Sequence, residues 1–255
     1  MDLDPGLDAL RSLGGFFVLR TLPPPHPAAA GDATGPHRLP TLAETYAGSA
    51  ADGRRDALAL RVATVAARTG TAEPRVAASL AQQGLAARLW SAALGCAVLY
   101  GRLPRLDPGL LRWDALAPVP DDLWLTEVRP LPGDADTVAA AVLDAHLQPL
   151  GAVLRARHGV ATELLRGNAG SALAATAREL DRWARLHGRT DVAERCRALT
   201  DALFTHPLLR ATGARDGTAF RRRSCCLYYR VPGGGLCGDC CLTRVPGPSP
   251  RAASG

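Results

Sequence analysis

The residues best suited to chemistry are five of the seven cysteines, which lie within 17 positions near the end of this 255-residue chain. Cys225 and Cys226 are adjacent; ten residues later comes Cys237 and, after two more, Cys240, followed directly by Cys241. Two intervening residues let the thiolates of Cys237 and Cys240 turn toward one metal, a chelating unit found in both zinc and iron–sulfur sites. The spacing therefore predicts a metal or redox centre.

The ten-residue spacer can bring the two halves of the motif together. Residues 227–231 are aromatic and β-branched enough for a strand, and the Pro-Gly-Gly-Gly run at 232–235 can reverse the chain. Such a hairpin would return Cys237 to the neighbourhood of Cys226, so that four thiolates converge. Adjacent cysteines on a strand point to opposite faces, which a two-iron cluster tolerates better than one small tetrahedral ion does. Soft thiolates also suit zinc, so both metals stay open on the residues alone.

The run RRSCCLYYR at 222–230, together with GLCGDC at 235–240, resembles the C-terminal signature of the FhuF-like ferric-siderophore reductases. That family carries a Cys-Cys-x10-Cys-x2-Cys motif that holds a 2Fe–2S cluster. Upstream, LLRGNAGSA at 164–172 is similar to a second family segment, which usually has an aromatic residue in place of the arginine. The resemblance implies that the cluster ligands are Cys225, Cys226, Cys237 and Cys240. Cys241 falls where the family often has another residue, and we expect a packed or partly exposed thiol there.

The same resemblance implies a function, the one-electron reduction of Fe(III) in a siderophore complex of hydroxamate type to release Fe(II). Fe(II) binds hard oxygen donors far less well than Fe(III) does. Electrons would come from a ferredoxin or an NAD(P)H-dependent partner, because glycines 233–235 lack the strand–turn–helix setting of a dinucleotide fingerprint. Arginines beside a cluster would raise its reduction potential. The candidate substrate-binding residues are Arg222, Arg223, Tyr229 and Asn168.

Composition and charge argue against several other classes. All 30 basic residues are arginine, which together with the Ala, Gly and Pro excess indicates a coding bias and not a nucleic-acid-binding protein. Residues 221–255 carry +5 of the formal charge of +6, so no basic face is expected on the body. The longest uncharged apolar run, 89–101, is too short to span a membrane. The acidic N-terminal segment does not fit a signal peptide, and seven cysteines without one predict a cytoplasmic protein.

The elements that must position the cysteines are mostly helices, since Ala and Leu dominate and aromatic residues make up only 5% of the chain. We expect a mainly α fold. It would have a helical siderophore-binding body over 1–207 with a small central irregular and β segment, a cysteine-rich hairpin module with the 2Fe–2S cluster over 208–245, and a flexible tail over 246–255. Start and stop signals predict helices over 3–19, 54–68, 74–100, 134–158 with a bend at Pro149, 162–187 and 191–204. Prolines and glycines predict a loop over 22–40 and short strands within 104–133, such as 123–128.

Two other interpretations remain open on the sequence. One is a zinc-stapled binding protein whose basic C-terminal end contacts nucleic acid or a protein partner; it would be colourless and redox-inactive. The other is a 2Fe–2S electron carrier or redox sensor that never handles siderophores. It would be coloured and reducible but would not bind ferric chelates.

Overall fold

A computed structural model describes residues 3–22, 35–48 and 56–247, and it confirms the mainly α fold. Helices α1 to α8 run over Leu3–Ala9, Leu42–Ala47, Ala57–Thr69, Pro74–Tyr100, Ala135–Ala139, Gln148–His158, Thr162–Leu186 and Thr190–Thr205. Strands β1 to β7 run over Arg20–Thr21, Arg102–Pro104, Leu111–Trp113, Leu123–Leu125, Pro130–Pro132, Gly213–Asp216 and Ala219–Arg222. Short 3-10 turns lie at Leu10–Leu13, Gly15–Phe17, Pro36–Arg38 and Tyr228–Arg230.

The central element is α4, which is buried along most of its length. Pro74 lies in its first turn, where the missing N–H removes no helical hydrogen bond. Helices α3 and α7 pack against it, and α8 packs on α7. Trp90 of α4 is fully buried and donates Nε1–H to Ala169 O of α7 at 3.1 Å. Helices α4 and α7 therefore form the scaffold on which the other elements are placed.

A buried ion pair joins the small β segment to α4. Arg88 Nε lies 2.9 Å from Asp122 Oδ1, and both side chains are 1% exposed. Nη2 of the same guanidinium donates to Val18 O at 2.7 Å, and this hydrogen bond holds the N-terminal segment against α4. The following β4 pairs with β1 in parallel and with β3 antiparallel, while β2 pairs with β5. Short strands within 104–133 are thus confirmed, although the strand at Leu123–Leu125 is shorter than the predicted 123–128.

The helix predicted over 134–158 is present, but its middle is π-helical over Ala140–Leu147. Asp134 caps its start by accepting from Thr137 N at 2.9 Å, and Pro149 lies in the first turn of α6. By length and composition, Ala135–His158 is the single stretch of the described residues that could cross a membrane. Half of its apolar window is buried inside the protein, as in a core helix. The buried His146 in its middle bonds Leu106 O at 2.6 Å, which fits that reading.

Several predicted boundaries need correction. The helix expected over 3–19 ends at Ala9 and gives way to two 3-10 turns, which are separated by Gly14 with φ 111°. Helix α3 begins only after Asp56, whose Oδ1 accepts from Ala59 N at 3.0 Å; residues 54 and 55 lie outside the described chain. Most of the loop predicted over 22–40 lies outside it as well, as does most of the tail. The helices predicted over 74–100, 162–187 and 191–204 are confirmed.

The cysteine-rich segment follows a hairpin, but not the predicted one. Strands β6 and β7 pair antiparallel, with Gly213 opposite Arg222, and β7 packs against α7. Residues 227–231, predicted as a strand, instead form the 3-10 turn Tyr228–Arg230 and its flanks. The strand prediction is wrong because Leu227 has a left-handed backbone, φ 70°, which turns the chain directly after the two cysteines.

Candidate metal centre

Hydrogen bonds hold the cysteine loop, residues 223–242, against α4 and α7. Ser79 of α4 donates Oγ–H to Cys226 O at 2.8 Å, and Ser224 donates to Glu163 O in the first turn of α7, also at 2.8 Å. The loop approaches α7 so closely that a Cβ added at Gly167 would lie 2.1 Å from the Ser224 hydroxyl oxygen. Glycine at this position therefore has a steric role. Two core helices determine where the loop lies.

The side chains of the five C-terminal cysteines lie near one another. Cys226 and Cys237 hydrogen-bond to each other through their thiols, and Cys225 lies within electrostatic range of Cys226, Cys240 and Cys241. All seven cysteines of the chain are free. Among the described residues, no three His, Cys, Asp or Glu side chains converge closely enough to hold a single metal ion. A two-iron cluster divides its ligands between two irons and so suits thiols that do not converge on one point better than one tetrahedral zinc does.

The shared hydrogen bond separates the acidities of one thiol pair. Donation by the Cys237 thiol lowers the pKa of Cys226 to about 7, and the same bond raises the pKa of Cys237. Burial raises the pKa of Cys225. The positive charge of Arg222 acts on all three, favouring their thiolates. At Cys225 and Cys237 the charge of Arg222 offsets part of the rise in pKa and so favours the thiolate, which is the form that binds metal.

Two of the four expected ligands accept a hydrogen bond from the backbone N–H two residues further along the chain: Leu227 N–H donates to Cys225 Sγ at 3.3 Å and Leu242 N–H donates to Cys240 Sγ at 3.4 Å. The backbone N–H groups of Tyr228 and Asp239, in the corresponding positions, lower the pKa of Cys226 and oppose the rise in the pKa of Cys237. Hydrogen bonds to the sulfurs are one of the means by which proteins set the potential of an iron–sulfur cluster.

The left-handed conformation of Leu227 produces half of this pattern. The conformation costs a non-glycine residue about 1–2 kcal/mol, and the Leu227 side chain packs against the core. It bends the chain so that the amides of Leu227 and Tyr228 turn back toward Cys225 and Cys226. Backbone strain of this kind concentrates at functional sites.

Arg222 places a buried positive charge beside the cysteines. Its side chain is 2% exposed, and Nη2 donates to Asn168 Oδ1 and, at 3.5 Å, to Leu164 O. Nε and Nη1 have no hydrogen-bond partner. A buried guanidinium with unused N–H groups is unfavourable unless an anion lies next to it. Because its charge acts on three of the cysteines, the residues present fit an anionic, thiolate-bound cluster.

Two of the expected substrate contacts lie in the interior. Asn168 is fully buried; its Nδ2 donates to Ser79 O at 2.9 Å, and its Oδ1 accepts from Arg222. Asn168 and Arg222 therefore hold the cysteine loop on the helices, and the prediction that they bind substrate does not agree with their burial. Arg223 is exposed and Tyr229 is half-buried. For these two residues, substrate binding stays a prediction.

Sequence reasoning missed the anchors of the loop. Asp239 is buried, and its carboxylate accepts from Ser171 Oγ at 2.6 Å and lies 3.0 Å from Arg178 Nη1. Its backbone oxygen also accepts from Arg222 N at 3.0 Å. In the sequence, Ser79 is only a small polar residue on an otherwise apolar helix, and nothing there indicates that it holds the loop. Asp239, lying between two cysteines in a basic segment, was the more visible clue.

The exposed face of the loop combines apolar and basic residues. Tyr228 is 37% exposed and Leu236 39% exposed, values that are high for large hydrophobic side chains. Arg221, Arg223 and Arg244 of the same C-terminal segment are exposed as well. We call these five residues the module face.

Comparison with known families assigns a cofactor to the cysteine loop. Residues 222–242 match the family described as FhuF 2Fe-2S C-terminal domain, a segment that contains all four expected ligands. The match indicates a 2Fe–2S cofactor, and in this segment the chain is similar to the FhuF-like family. No curated protein matches the chain. The chain is a 2Fe–2S protein that resembles siderophore-iron reductases.

Proposed function

We propose that this protein reduces the iron of a ferric hydroxamate siderophore by one electron, and that Cys225, Cys226, Cys237 and Cys240 hold the cluster involved. The observation that carries the proposal is the buried Arg222 with two unpartnered N–H groups, Nε and Nη1, beside these cysteines. A structural zinc site does not need such a charge, whereas a centre that gains an electron is stabilised by it.

The residues of the chain act by positioning and by charge. A bound 2Fe–2S cluster supplies the chemistry of gaining and losing one electron at a time. Arg222 favours the more negative, reduced state, and the backbone N–H groups of the loop disperse charge on the sulfurs. The Fe(III) of the chelate accepts one electron and becomes Fe(II), which hydroxamate oxygens hold weakly. No covalent bond to the protein is made or broken.

The electron donor in this proposal is an acidic protein, a ferredoxin or an NAD(P)H-dependent reductase that binds the module face. Arg223 and Arg244 supply positive charge, and Tyr228 and Leu236 supply apolar area close to the cysteines. Complementary charge accelerates such encounters and makes them depend on ionic strength. We place the protein in the cytoplasm, because a reducing compartment keeps thiols of this kind free for metal.

The experiment that tests the proposal is anaerobic reoxidation of the reduced holoprotein. Metal and sulfide analysis with ultraviolet–visible and EPR spectra first separates a 2Fe–2S protein from a zinc protein. Ferric trihydroxamate is then added while the cluster spectrum is recorded and Fe(II) is trapped by a ferrous chelator. We expect reoxidation with release of Fe(II). A reduced cluster that is stable to the chelate would instead identify an electron carrier or sensor.

A further inference from the structure

An open cleft of about 180 Å³ lies between α4, the helical segment 140–158 and the first turns of α7. Gln148, Arg155, Thr162 and Arg166 supply its polar groups. Its apolar lining comes from leucines of three parts of the chain, Leu143, Leu147, Leu165, Leu208 and Leu209.

Gln82 lines this cleft with an acceptor that has no partner. Its side chain is 1% exposed, Nε2 donates to Leu165 O at 3.3 Å, and Oε1 makes no hydrogen bond. The opposite orientation of the amide would set Oε1 against the Leu165 carbonyl oxygen, so this contact decides the assignment. Buried polar atoms are rarely left unpaired. The free Oε1 therefore points to a ligand that brings a donor.

The cleft adjoins the cysteine loop. Gln82 follows Ser79 by three residues on α4, so the two side chains lie on the same helix face, one turn apart. Ser79 in turn bonds Cys226 O. On α7, Arg166 of the cleft directly precedes Gly167, against which Ser224 packs. A molecule in the cleft would thus be separated from the cysteine loop by about one turn of each helix.

We propose that this cleft binds the ferric trihydroxamate chelate, an inference that rests on the proposed function. Linear trihydroxamates carry secondary amides, alkyl arms and hydroxamate oxygens. Gln82 Oε1 accepts from an amide N–H, and the leucines cover the alkyl arms. Arg155 is exposed at the cleft and donates to hydroxamate oxygens; Arg166 bonds Glu163 through Nη1 and has further N–H groups for the same purpose. The chelate and the electron donor then occupy different surfaces.

The test measures binding and not turnover. Oxidised holoprotein is titrated calorimetrically with the Fe(III) and Ga(III) complexes of desferrioxamine, since Ga(III) cannot be reduced under these conditions. Ala152→Trp fills the cleft from an exposed position that lines it. The matched control is Ala156→Trp, one turn further along α6, exposed and outside the lining. Gln82→Met removes the acceptor at similar size.

We expect Ala152→Trp to weaken binding of both complexes at least tenfold and Ala156→Trp to leave it unchanged. Gln82→Met should weaken binding about three- to tenfold, the loss of one hydrogen bond. If the native protein binds the complexes and both Ala152→Trp and Gln82→Met bind them with unchanged affinity, the cleft is not the chelate site, but the proposed function stays intact. If the native holoprotein binds neither complex and its reduced form is not reoxidised by the ferric one, both fail.

Discussion

Replacing Arg222 by methionine should lower the reduction potential of the cluster. Arg222 acts electrostatically on Cys225, Cys226 and Cys237, and such effects operate over about 4–6 Å. Two unit charges ~6 Å apart at an effective dielectric constant of ~20 interact by about 3 kcal/mol. For a one-electron couple this corresponds to roughly 120 mV. We therefore expect a potential more negative by ~100 mV in Arg222→Met, measured by EPR-monitored redox titration at neutral pH.

The matched control is Arg223→Met, which removes the same formal charge from the neighbouring, exposed position. Solvent and salt screen that charge, so its potential should move by less than a third as much. Arg222→Lys keeps the charge but loses the planar guanidinium, and an intermediate potential is expected. The EPR signal of each variant is normalised to its iron and sulfide content. Equal shifts in Arg222→Met and Arg223→Met, or no fall in Arg222→Met, would refute the role given to the buried guanidinium.

Four further predictions follow from single contacts. Gly167→Ala should displace the cysteine loop and lower the cluster content severalfold, because the added Cβ would lie 2.1 Å from the hydroxyl oxygen of Ser224. The control Gly84→Ala on α4 adds a Cβ that meets nothing within 4 Å and should be neutral or stabilising. Equal iron content in the two variants would contradict this prediction. Cys241→Ser should keep the native spectrum and iron content, and a bleached protein would place Cys241 among the ligands. Arg223→Glu should slow reduction by an acidic donor at low salt, and a rate independent of salt and charge would remove the module face from donor binding. Burial lowers the pKa of His146 to about 4, below its value near 6.5 in the unfolded chain. About 3 kcal/mol of the free energy of unfolding, present above pH 6.5, should therefore be lost as the pH falls to 4. In His146→Gln, the free energy of unfolding measured with denaturant should fall less steeply over this pH range.

The cysteine motif was readable from sequence because its chemistry depends on residue type and spacing. Its conformation was not, since the strand prediction rested on the β propensity of 227–231. Tertiary contacts override that propensity: Leu227 turns left-handed, and its side chain packs against the core. In the segment predicted as a helix over 3–19, Gly14 was the available signal that the helix would not continue.

Long-range polar contacts lay beyond sequence reasoning for a different reason. Asn168, Ser79 and Arg222 are far apart in the chain and meet only because α4 and α7 pack side by side. Arg222 and Arg223 are neighbours of identical type, yet Arg222, the last residue of β7, is buried and Arg223, directly after the strand, is exposed, which continues the alternation of side chains along the strand. The register of that strand depends on its pairing with β6. Which arginine acts on the cluster could therefore be decided only from the structure.

The most direct test of the account is the stoichiometry of a single turnover. Reduced holoprotein is mixed anaerobically with excess ferric trihydroxamate, and cluster oxidation and trapped Fe(II) are counted in the same sample. We predict one Fe(II) for each cluster oxidised, and no Fe(II) from a Cys237→Ser protein that lacks the cluster. Fe(II) release that is independent of the cluster, or cluster oxidation without Fe(II), would contradict the account.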